Sequence, residues 1–398
     1  MVKCLVHGID INFGERMRKI KINILSPVRF HVLDLARELD KNGFDVRFYS
    51  FVPVKRAIKF GLPRNCSKSV IAFVFPFLLL SLLIFKKSQW LKRLLIIVLD
   101  YVTGIYMRRC DICIAMSGNY MFSIRRAKKR GAIVILERGS KHILEQKRIL
   151  DSLKDMSPQV STVPDFNLKR ELAGYEIADY ISIPSEHVKR SFTIHHHPND
   201  KIFLNSYGVD VTMFHPSARS DKKYDLIMVG GWSLRKGCDI LVESVRKINM
   251  KLLHVGRIVD LPFPDESQFT HVDPVDESLL RDYYNQAKVF VLPSREEGLA
   301  LVQAQAIACN LPIVGSPDSG AEDLTQLVEF PENIAIIKDY TVDAVIDAIY
   351  QAMQQYEKFG DIRYAGKALQ HLTWEAYGKR YSAFLNSIFS KNTDGNRI

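Results

Sequence analysis

Two neighbouring carboxylates in the segment PSREEGLALVQAQAIACNLPIV, residues 293–314, are the first candidates for chemistry. Glu296 and Glu297 stand before Gly298, and the run Val289–Leu292 that precedes the segment predicts a strand. A carboxylate at the end of such a strand can bind sugar hydroxyls and stabilise the positive charge that develops on a sugar ring. The plainer interpretation is a solvated turn before a core helix.

Two cations occupy the segment VGGWSLRKGCDIL, residues 229–241, where a loop enters a predicted helix. Arg235 and Lys236 stand there beside Gly237, and backbone N–H groups at the start of a helix bind phosphate oxygens. Cations are mildly unfavourable at that end of a helix unless an anion lies nearby. The segment therefore favours a diphosphate ligand over two surface charges, and the cations would neutralise a leaving pyrophosphate.

Two further segments place polar residues after predicted strands. In GSPDSGAEDL, residues 315–324, Gly320 leads into a helix start, which fits either a turn that approaches phosphates or an ordinary acidic helix start. In LERGSKHILEQ, residues 136–146, Arg138 can pair with a phosphate or carboxylate, and His142 can orient a sugar. A single histidine is more often structural, so both roles stay open for His142.

The elements that must position these residues alternate between short β-rich runs and helical stretches, which predicts parallel sheets with helices on both faces. The strand-like runs extend from Lys21–Leu25 to Pro312–Val314, with helical patterns such as Val32–Asn42 between them. A polar stretch at residues 214–223 separates two such series. The predicted fold class is α/β, with two Rossmann-like, doubly wound domains that face a central cleft at the carboxyl ends of their strands.

Taken together, these segments resemble the GT4 family of retaining glycosyltransferases, group 1, whose fold is called GT-B. The family combines Pro-Ser, a Glu-Gly pair and a second Glu after seven intervening residues. Glu297 matches the first Glu, whereas Gln305 occupies the position of the second, which commonly binds ribose hydroxyls of the nucleotide. An Arg often stands at the position of Gly231, so here Arg235 would supply the second charge. The likeness covers roughly Lys21–Phe384.

The resemblance implies transfer of a sugar from a nucleotide diphosphate, with retention of configuration and without a cofactor or metal ion. It implies an acceptor-binding domain at residues 21–215, a nucleotide-sugar-binding domain at 216–378 and a helix that crosses back at 379–398, after a possible flexible lead at 1–20. The implied catalytic residues are Glu297, Lys236, Arg235, His142 and Arg138. The implied nucleotide-sugar-binding residues are Gly230, Gly231, Arg235, Lys236, Glu297, Gly298, Leu299, Gln305 and Gly320.

Charge narrows the range of partners. The 398 residues carry a formal net charge of +11, and the pI is about 9.2, which predicts an anionic partner. No helix-turn-helix, zinc-finger or RNP signature stands in the sequence, so a nucleic acid is not the expected partner. The expected partners are a nucleotide sugar, a carbohydrate or lipid-linked acceptor, and an anionic membrane surface.

An apolar run at residues 69–85, SVIAFVFPFLLLSLLIF, is nearly long enough to span a bilayer but is interrupted by Pro76. A buried helix, an interfacial element and a transmembrane helix are the three interpretations. Basic residues on both sides and Trp90 favour the interfacial element, because Lys and Arg are stabilised near anionic headgroups. The sequence therefore predicts membrane docking by residues 55–93 and a peripheral location at the cytoplasmic face of the membrane.

Neither cysteine nor histidine patterns predict a metal site. The six cysteines are scattered and no secretory signal leads the chain, which favours a reduced cytoplasmic setting. Cys110 and Cys113 form a CxxC, but Cys113 lies in an apolar run, so both are expected to be core residues. The run His195–His197 stands in a polar loop, where we expect no metal.

Two other functions remain open at this stage. A sugar-nucleotide epimerase or phosphorylase with the GT-B architecture would use a similar nucleotide site without needing the basic apolar region. A non-catalytic GT-B-like scaffold is favoured by the two departures from the family pattern, at Gly231 and Gln305.

Overall fold

Two parallel β-sheets, one in each half of the chain, form the frame of the protein and confirm the predicted fold class. The computed structural model describes residues 18–73, 75, 89–217, 221–359 and 366–395. Within these residues the strands of both sheets pair in parallel, so the strands of one sheet end at a common edge. Loops at that edge are the ones that meet a ligand in folds of this kind.

The N-terminal sheet has seven strands in the order β3-β2-β1-β4-β5-β6-β7. Its strands are β1 Lys21–Leu25, β2 Asp45–Ser50, β3 Ser67–Ser69, β4 Ile112–Met116, β5 Ile133–Glu137, β6 Tyr180–Ile183 and β7 Ile202–Leu204. All five residues of β5, IVILE, are buried. Such unbroken apolar runs are typical of parallel strands that are covered by helices on both faces.

Amphipathic helices cover this sheet. In the first of them, Val32, Leu35, Ala36 and Leu39 recur at helical spacing and are fully buried. The helices of the domain are α1 His31–Lys41, α2 Val54–Lys59, α3 Gln89–Tyr106, α4 Met121–Lys129, α5 Ile143–Met156, α6 Asp165–Ile177 and α7 Glu186–Ile194.

The C-terminal sheet has six strands in the order β10-β9-β8-β11-β12-β13. Its strands are β8 Tyr224–Val229, β9 Leu252–Val255, β10 Phe269–Val272, β11 Ala287–Leu292, β12 Ile313–Gly315 and β13 Ile334–Ile336. The helices around it are α8 Cys238–Ile248, α9 Glu277–Tyr284, α10 Leu301–Ala308, α11 Ala321–Leu324 and α12 Val342–Phe359. The segment with the two carboxylates thus joins β11 to α10, and the segment with the two cations joins β8 to α8.

A last helix, α13 Trp374–Gly395, returns to the N-terminal domain and packs along α1. Its Tyr377 and Tyr381 are fully buried, and Tyr381 donates a 2.5 Å hydrogen bond to the Glu137 carboxylate at the end of β5. The sequence places this helix at residues 379–398, but it begins at Trp374 because Tyr377 already belongs to its buried face.

Several predictions concern residues outside the described ranges. The predicted lead at residues 1–20 falls largely on 1–17, which are not described, and the apolar run at 69–85 falls largely on 74 and 76–88. Among the helices that are described, none combines the length and apolarity needed to cross a bilayer. The side chains of Phe73, Phe75 and Trp90, which flank the gap, are more than half exposed.

Among the described cysteines, the prediction of a core residue holds for Cys113 but not for Cys110, which is only half-buried. Cys113 lies in β4 and is fully buried, and its hydrogen bond to Cys110, together with burial, raises its pKa well above the usual range. Cys66, Cys238 and Cys309 are also buried, and none of the cysteines in the described ranges is in a disulfide.

Candidate functional site

The carboxyl ends of the two sheets face each other across a cleft of about 1340 Å³. The C-terminal domain contributes Gly230, Gly231, Arg235, Lys236, Glu297 and Leu299 to its walls. The N-terminal domain contributes His31, Arg138, Ser140 and Tyr207. Most of the side chains that the sequence singles out therefore line one cavity between the domains.

Backbone geometry sets the position of the two cations. Gly237, the residue before α8, has φ 72°, and a Cβ atom there would lie 2.2 Å from the carbonyl oxygen of Pro293. Only glycine fits this close approach between the β8–α8 loop and the β11–α10 loop. Lys236 and Arg235 are thereby held at the start of α8, where they project toward the neighbouring loop that carries Glu297.

Glu297 lies between these two cations. Its Oε1 atom accepts from Arg235 Nη1 at 2.8 Å and forms a short ion pair with Lys236 Nζ. Burial raises the pKa of the Glu297 carboxyl, but the charges and hydrogen bonds of Lys236 and Arg235 outweigh that effect, so the pKa lies below its ordinary value. The carboxylate is therefore ionised at neutral pH, and it pairs with both cations at the wall of the cleft.

The neighbouring carboxylate, Glu296, lies between Arg235 and the N-terminal domain. It is almost fully buried, accepts a short hydrogen bond from Ser140 Oγ and lies 3.3 Å from Arg235 Nη1. Glu296 thus joins the Arg235 loop to the β5–α5 loop across the domain boundary. Its contacts indicate a role in holding the two domains together.

The loop at Glu297 and Gly298 is enclosed by the N-terminal domain. Ser185 Oγ donates to the Gly298 carbonyl at 2.9 Å, and His187 Nε2 lies 3.0 Å from the Glu297 carbonyl. A Cβ atom on Gly298 would lie 2.0 Å from the Gly139 carbonyl oxygen, so the two backbones touch there. The absence of a side chain at Gly298 is what permits this interdomain contact.

A charged pair closes the same side of the cleft. Lys141 Nζ donates to Asp318 Oδ1 at 2.5 Å, and the same carboxylate accepts from the hydroxyl of Tyr340 at 2.5 Å. Burial alone would raise the pKa of Asp318. The hydrogen bonds from Lys141 and Tyr340 and the charge of Lys141 lower it by more, so the pKa lies below its ordinary value. The pair adds a charged interdomain tie beside the Gly298 contact.

Arg138 lines the cleft as predicted, but protein groups already occupy most of its donors. Its guanidinium donates to the Lys141 carbonyl at 2.7 and 3.0 Å, to Gln146 Oε1 at 2.7 Å and to Glu171 Oε1 at 3.0 Å. These buried hydrogen bonds hold the loop formed by residues 138–146 in one conformation. The geometry favours a positioning role for Arg138 over direct binding of a phosphate.

The structure does not bring His142 to the cleft. His142 is the residue before α5, where its Nδ1 atom accepts from the Leu144 N–H at 3.3 Å. Its ring packs against His195, Tyr175 and Phe192, with centroids 4.4 to 5.0 Å apart. Burial, followed by the charges of His195 and Arg138, lowers the pKa of His142 to about 3. The helix-capping geometry and the apolar packing explain the difference from the expected sugar-orienting role.

Gln305 and Gly320 lie behind the cleft wall instead of on it. Gln305 is buried and contacts Glu277, which lines the cleft, at 3.3 Å. Gly320 has φ 77°, and a Cβ atom there would meet Leu299 at 2.6 Å. Gly320 therefore supports the loop that carries Glu297, and within the described residues neither Gln305 nor Gly320 borders the cavity.

His31, which the sequence does not single out as a site residue, lines the part of the cleft wall that the N-terminal domain contributes. Its Nε2 atom is 2.9 Å from Glu137 Oε2, and its ring packs against that of Tyr207 in a tilted arrangement, with the ring centroids 4.2 Å apart. Glu137 is buried and also accepts from Tyr381. The signal in the sequence that could have found it is its position shortly after β1, since residues at the carboxyl end of a parallel strand can reach the cleft.

Histidine and acidic side chains do not form a metal-binding group of three or more anywhere in the described ranges. The run His195–His197 packs on aromatic residues: His195 lies on His142, and His197 packs against Phe192 with a centroid separation of 5.5 Å. These contacts give the histidine run a structural explanation.

Comparisons with known proteins show which proteins this chain resembles. Residues 223–355 match the sequence profile of the family Glycosyl transferases group 1. GDP-mannose-dependent alpha-(1-6)-phosphatidylinositol monomannoside mannosyltransferase of Mycolicibacterium smegmatis is 23% identical to this chain over an alignment of 243 residues. The match covers 52% of this chain and 62% of that protein, so less than two thirds of the relative is matched.

Solved structures extend the likeness to nearly the whole chain. The sucrose-phosphate synthase of Thermosynechococcus elongatus superposes with a TM-score of 0.63 at 15% identity, over 94% of this chain and all of that one. HepE of Anabaena, solved with UDP-glucose, superposes with a TM-score of 0.63 at 13% identity, over 92% of this chain and all of that one. Residues 223–355 therefore form a glycosyl transferases group 1 domain, and the chain as a whole has the GT-B fold.

Proposed function

We propose that this protein is a retaining glycosyltransferase that moves a sugar from a nucleotide diphosphate to a lipid-linked or cell-surface polysaccharide acceptor at an anionic membrane surface. The observation that carries the proposal is the cluster of Arg235, Lys236 and Glu297 at the wall of the interdomain cleft. The donor occupies the C-terminal side of this cleft, and the acceptor approaches from the N-terminal side.

The charges of the cluster suit the departure of a nucleoside diphosphate. As the glycosidic bond breaks, negative charge builds on the phosphate oxygen, and Lys236 and Arg235 stabilise it at a site already organised by the protein. Glu297 accepts hydrogen bonds from the sugar hydroxyls and stabilises the positive charge on the ring. In the free protein Glu297 forms ion pairs with both cations. When the donor binds, its diphosphate also pairs with Arg235 and Lys236.

Two fixed cations at the diphosphate also support transfer without a metal ion, because they supply the positive charge that a divalent ion would bring. We therefore expect turnover to survive EDTA. Loss of activity on chelation, restored by magnesium or manganese, would overturn this part of the proposal.

On the acceptor side, His31 is the polar group whose position suits a hydroxyl. Glu137 holds its Nε2 atom, which leaves Nδ1 as the ring nitrogen for the acceptor. In a retaining reaction the leaving phosphate takes the acceptor proton and His31 orients the hydroxyl. The His31–Glu137 pair favours one competing mechanism, in which His31 removes the proton and the configuration inverts. The anomeric configuration of the product, measured by NMR, decides between the two.

Exposed apolar side chains of helix α3 support docking to a membrane. Helix α3 exposes Trp90, Ile97, Tyr101 and Ile105, which recur at helical spacing. An exposed apolar helix face of this kind binds the interface of a bilayer, where a lipid-linked acceptor is presented. The same domain carries exposed basic side chains on helix α2, Lys55, Arg56 and Lys59, and basic residues near the bilayer strengthen binding to anionic lipid.

The deciding experiment measures nucleotide release with and without an acceptor. UDP-, GDP- and dTDP-sugars are first screened for an increase in melting temperature, because a bound donor stabilises the folded state by mass action. The donor that stabilises is then incubated with membrane lipid extracts and with polysaccharide fragments. Release that depends on an acceptor supports the transferase. Release without an acceptor indicates an epimerase or phosphorylase, and binding without turnover indicates a scaffold.

A further inference from the structure

One pair of side chains explains the departure of Gln305 from the family pattern. Gln305 is buried in α10, and its Nε2 atom lies 3.3 Å from Oε1 of Glu277, the first residue of α9. Glu277 is partly exposed and lines the cleft, close to Leu301 and Val302 at the start of α10. The structure therefore places the Glu277 carboxylate between the cleft and Gln305, the position where the family pattern has a glutamate.

The orientation of the Gln305 amide is fixed by its two neighbours. The hydroxyl of Tyr284, which is fully buried, donates to Gln305 Oε1 at 3.0 Å. This leaves the amide N–H groups to face Glu277. The reversed amide would place its oxygen against the Glu277 carboxylate, where two acceptors repel each other. Gln305 is thus oriented to hold Glu277.

A glutamate at position 305 would be unfavourable beside Glu277. It would put two carboxylates at the 3.3 Å separation now bridged by an N–H donor, and like charges at that distance cannot both ionise without a large cost. The glutamine at 305 and the glutamate at 277 therefore depend on each other. The carboxylate that the family pattern has on α10 is replaced here by one on α9.

We propose that Glu277 holds the ribose of the donor nucleotide, with Gln305 as its positioning residue. This inference rests on the proposed function, because it assumes a nucleoside diphosphate in the cleft. The ribose 2′- and 3′-hydroxyls donate hydrogen bonds to the Glu277 carboxylate, whose two oxygens retain lone pairs for them.

The N-terminal domain secures the same carboxylate from the other side. Arg29 Nη2 forms a 2.7 Å ion pair with Glu277 Oε2, and its guanidinium lies over the ring of Phe60 at 3.8 Å from the centroid. Glu277 thus accepts from Gln305 through one oxygen and from Arg29 through the other. The ribose site is completed by a residue of the acceptor domain, so the bound nucleotide contacts both domains.

Calorimetry with ribo- and deoxyribonucleotides tests the inference. UDP and GDP are compared with 2′-deoxy-UDP and 2′-deoxy-GDP on the intact protein, and we expect wild type to prefer the ribose form about tenfold. Glu277→Gln should remove the preference while the diphosphate contacts remain. Gln305→Ala removes the amide that holds Glu277 and should weaken the preference while Glu277 itself is kept. Asp282→Asn, on the exposed side of the same helix, is the matched control and should keep the wild-type preference.

The outcomes separate the inference from the proposed function. If wild type binds nucleotides without a ribose preference, or Glu277→Gln keeps the preference, the role of Glu277 is wrong and the transferase proposal stands. If the folded Gln305→Ala variant keeps the full preference, Gln305 does not position Glu277. If wild type binds neither the four nucleotides nor dTDP, both proposals fail. Loss of the ribose preference in Glu277→Gln, with unchanged affinity for the 2′-deoxy nucleotides, is a result that a purely structural role for Glu277 does not produce.

Discussion

At the scale of single residues, charge is concentrated at one point of the cleft. Lys236 is almost fully buried, and its ammonium group pairs with Glu297 at the wall of the cleft, where we propose that a diphosphate binds. The interaction of such a buried cation with the leaving group becomes stronger as negative charge develops there, because little water screens the two charges.

Lys236→Ala should lower turnover by about 100- to 1,000-fold, the usual effect of removing one electrostatic stabiliser of a transition state. The control is Lys247→Ala, an exposed lysine on α8 that pairs with Asp343. Steady-state rates with the identified donor measure the effect. Turnover near that of wild type in a folded Lys236→Ala protein would contradict the phosphate role.

Glu297→Gln tests the second member of the cluster. Sequence reasoning treats Glu297 as an exposed carboxylate, but its side chain is only 15% exposed and pairs with two cations. We expect the variant to lose at least about 100-fold in turnover. Its affinity for a nucleoside diphosphate should not fall, because both cations become free for phosphate. If affinity collapses while turnover at saturation survives, Glu297 holds the nucleotide and not the sugar.

The same variant carries a pH signature. The folded pKa of Glu297 lies below its ordinary value of 4.5, so its ion pairs stabilise the protein above that pH and are lost as the pH falls through the folded pKa. Wild type should be more stable than Glu297→Gln at pH 7, and the difference should shrink as the pH falls below 4.5 and through the folded pKa. Urea unfolding at several pH values measures this, and a gap that persists in acid would exclude the ionic cause.

His142 should affect stability and not catalysis. Its pKa of about 3 in the folded protein lies below the ordinary 6.5, so the unfolded chain takes up a proton first as the pH falls. Because His142 stays neutral in the folded protein, the free energy of unfolding falls as the pH is lowered from 6.5 to 3, by up to about 1.4 kcal/mol per pH unit. His142→Asn should flatten this slope with near-normal turnover. A large loss of turnover in the folded variant would return His142 to the active site.

At the scale of elements, the loop between β11 and α10 both carries Glu297 and touches the other domain. Its contacts with Ser185, His187 and the Gly139 backbone hold the cleft closed at one end. Glu297 is therefore positioned by both domains, although it belongs to the C-terminal one.

Gly298→Ala should open this end of the cleft. The new Cβ atom would lie 2.0 Å from the Gly139 carbonyl, a backbone atom that cannot move aside cheaply. We expect each domain to stay folded, turnover to fall by about tenfold or more, and the radius of gyration in small-angle X-ray scattering to increase. An unchanged scattering profile with normal turnover would show that the contact is not needed for the reaction.

At the scale of the whole molecule, the basic charge and the apolar side chains of α3 act together. Binding to vesicles with anionic lipid should be strong at low salt and weaken as salt is raised, because exposed charges are screened over about 8 Å at physiological ionic strength. Co-sedimentation with anionic and neutral vesicles measures it. Equal binding to both, or none to either, would contradict electrostatic docking.

A variant of α3 separates the apolar contribution from the charge. Trp90→Ser combined with Ile97→Ser removes two exposed apolar side chains and no charge. It should weaken binding even at low salt, because apolar burial in the interface is lost. The matched control is Leu279→Ser on α9, an exposed apolar residue in the other domain.

The sequence by itself determined the fold class and most of the strands. The predicted runs at Lys21–Leu25 and Tyr180–Ile183 are strands with those bounds, because buried parallel strands are continuous apolar runs between turns. Short edge strands such as β3, Ser67–Ser69, carry no such pattern and were missed. Local signals likewise identified Arg235, Lys236 and Glu297, since each stands directly at the end or start of an element.

Which polar residues share the cleft depends on tertiary packing. His142 follows the same strand as Arg138, yet helix capping turns it into the core, while His31, at the start of α1, reaches the cavity. Glu277 and Gln305 are 28 positions apart, and their contact depends on how α9 and α10 pack. Periodicity fixes the elements of a chain, but the directions of side chains at loop ends depend on neighbours that are far away in sequence, and these are set only when the domains pack.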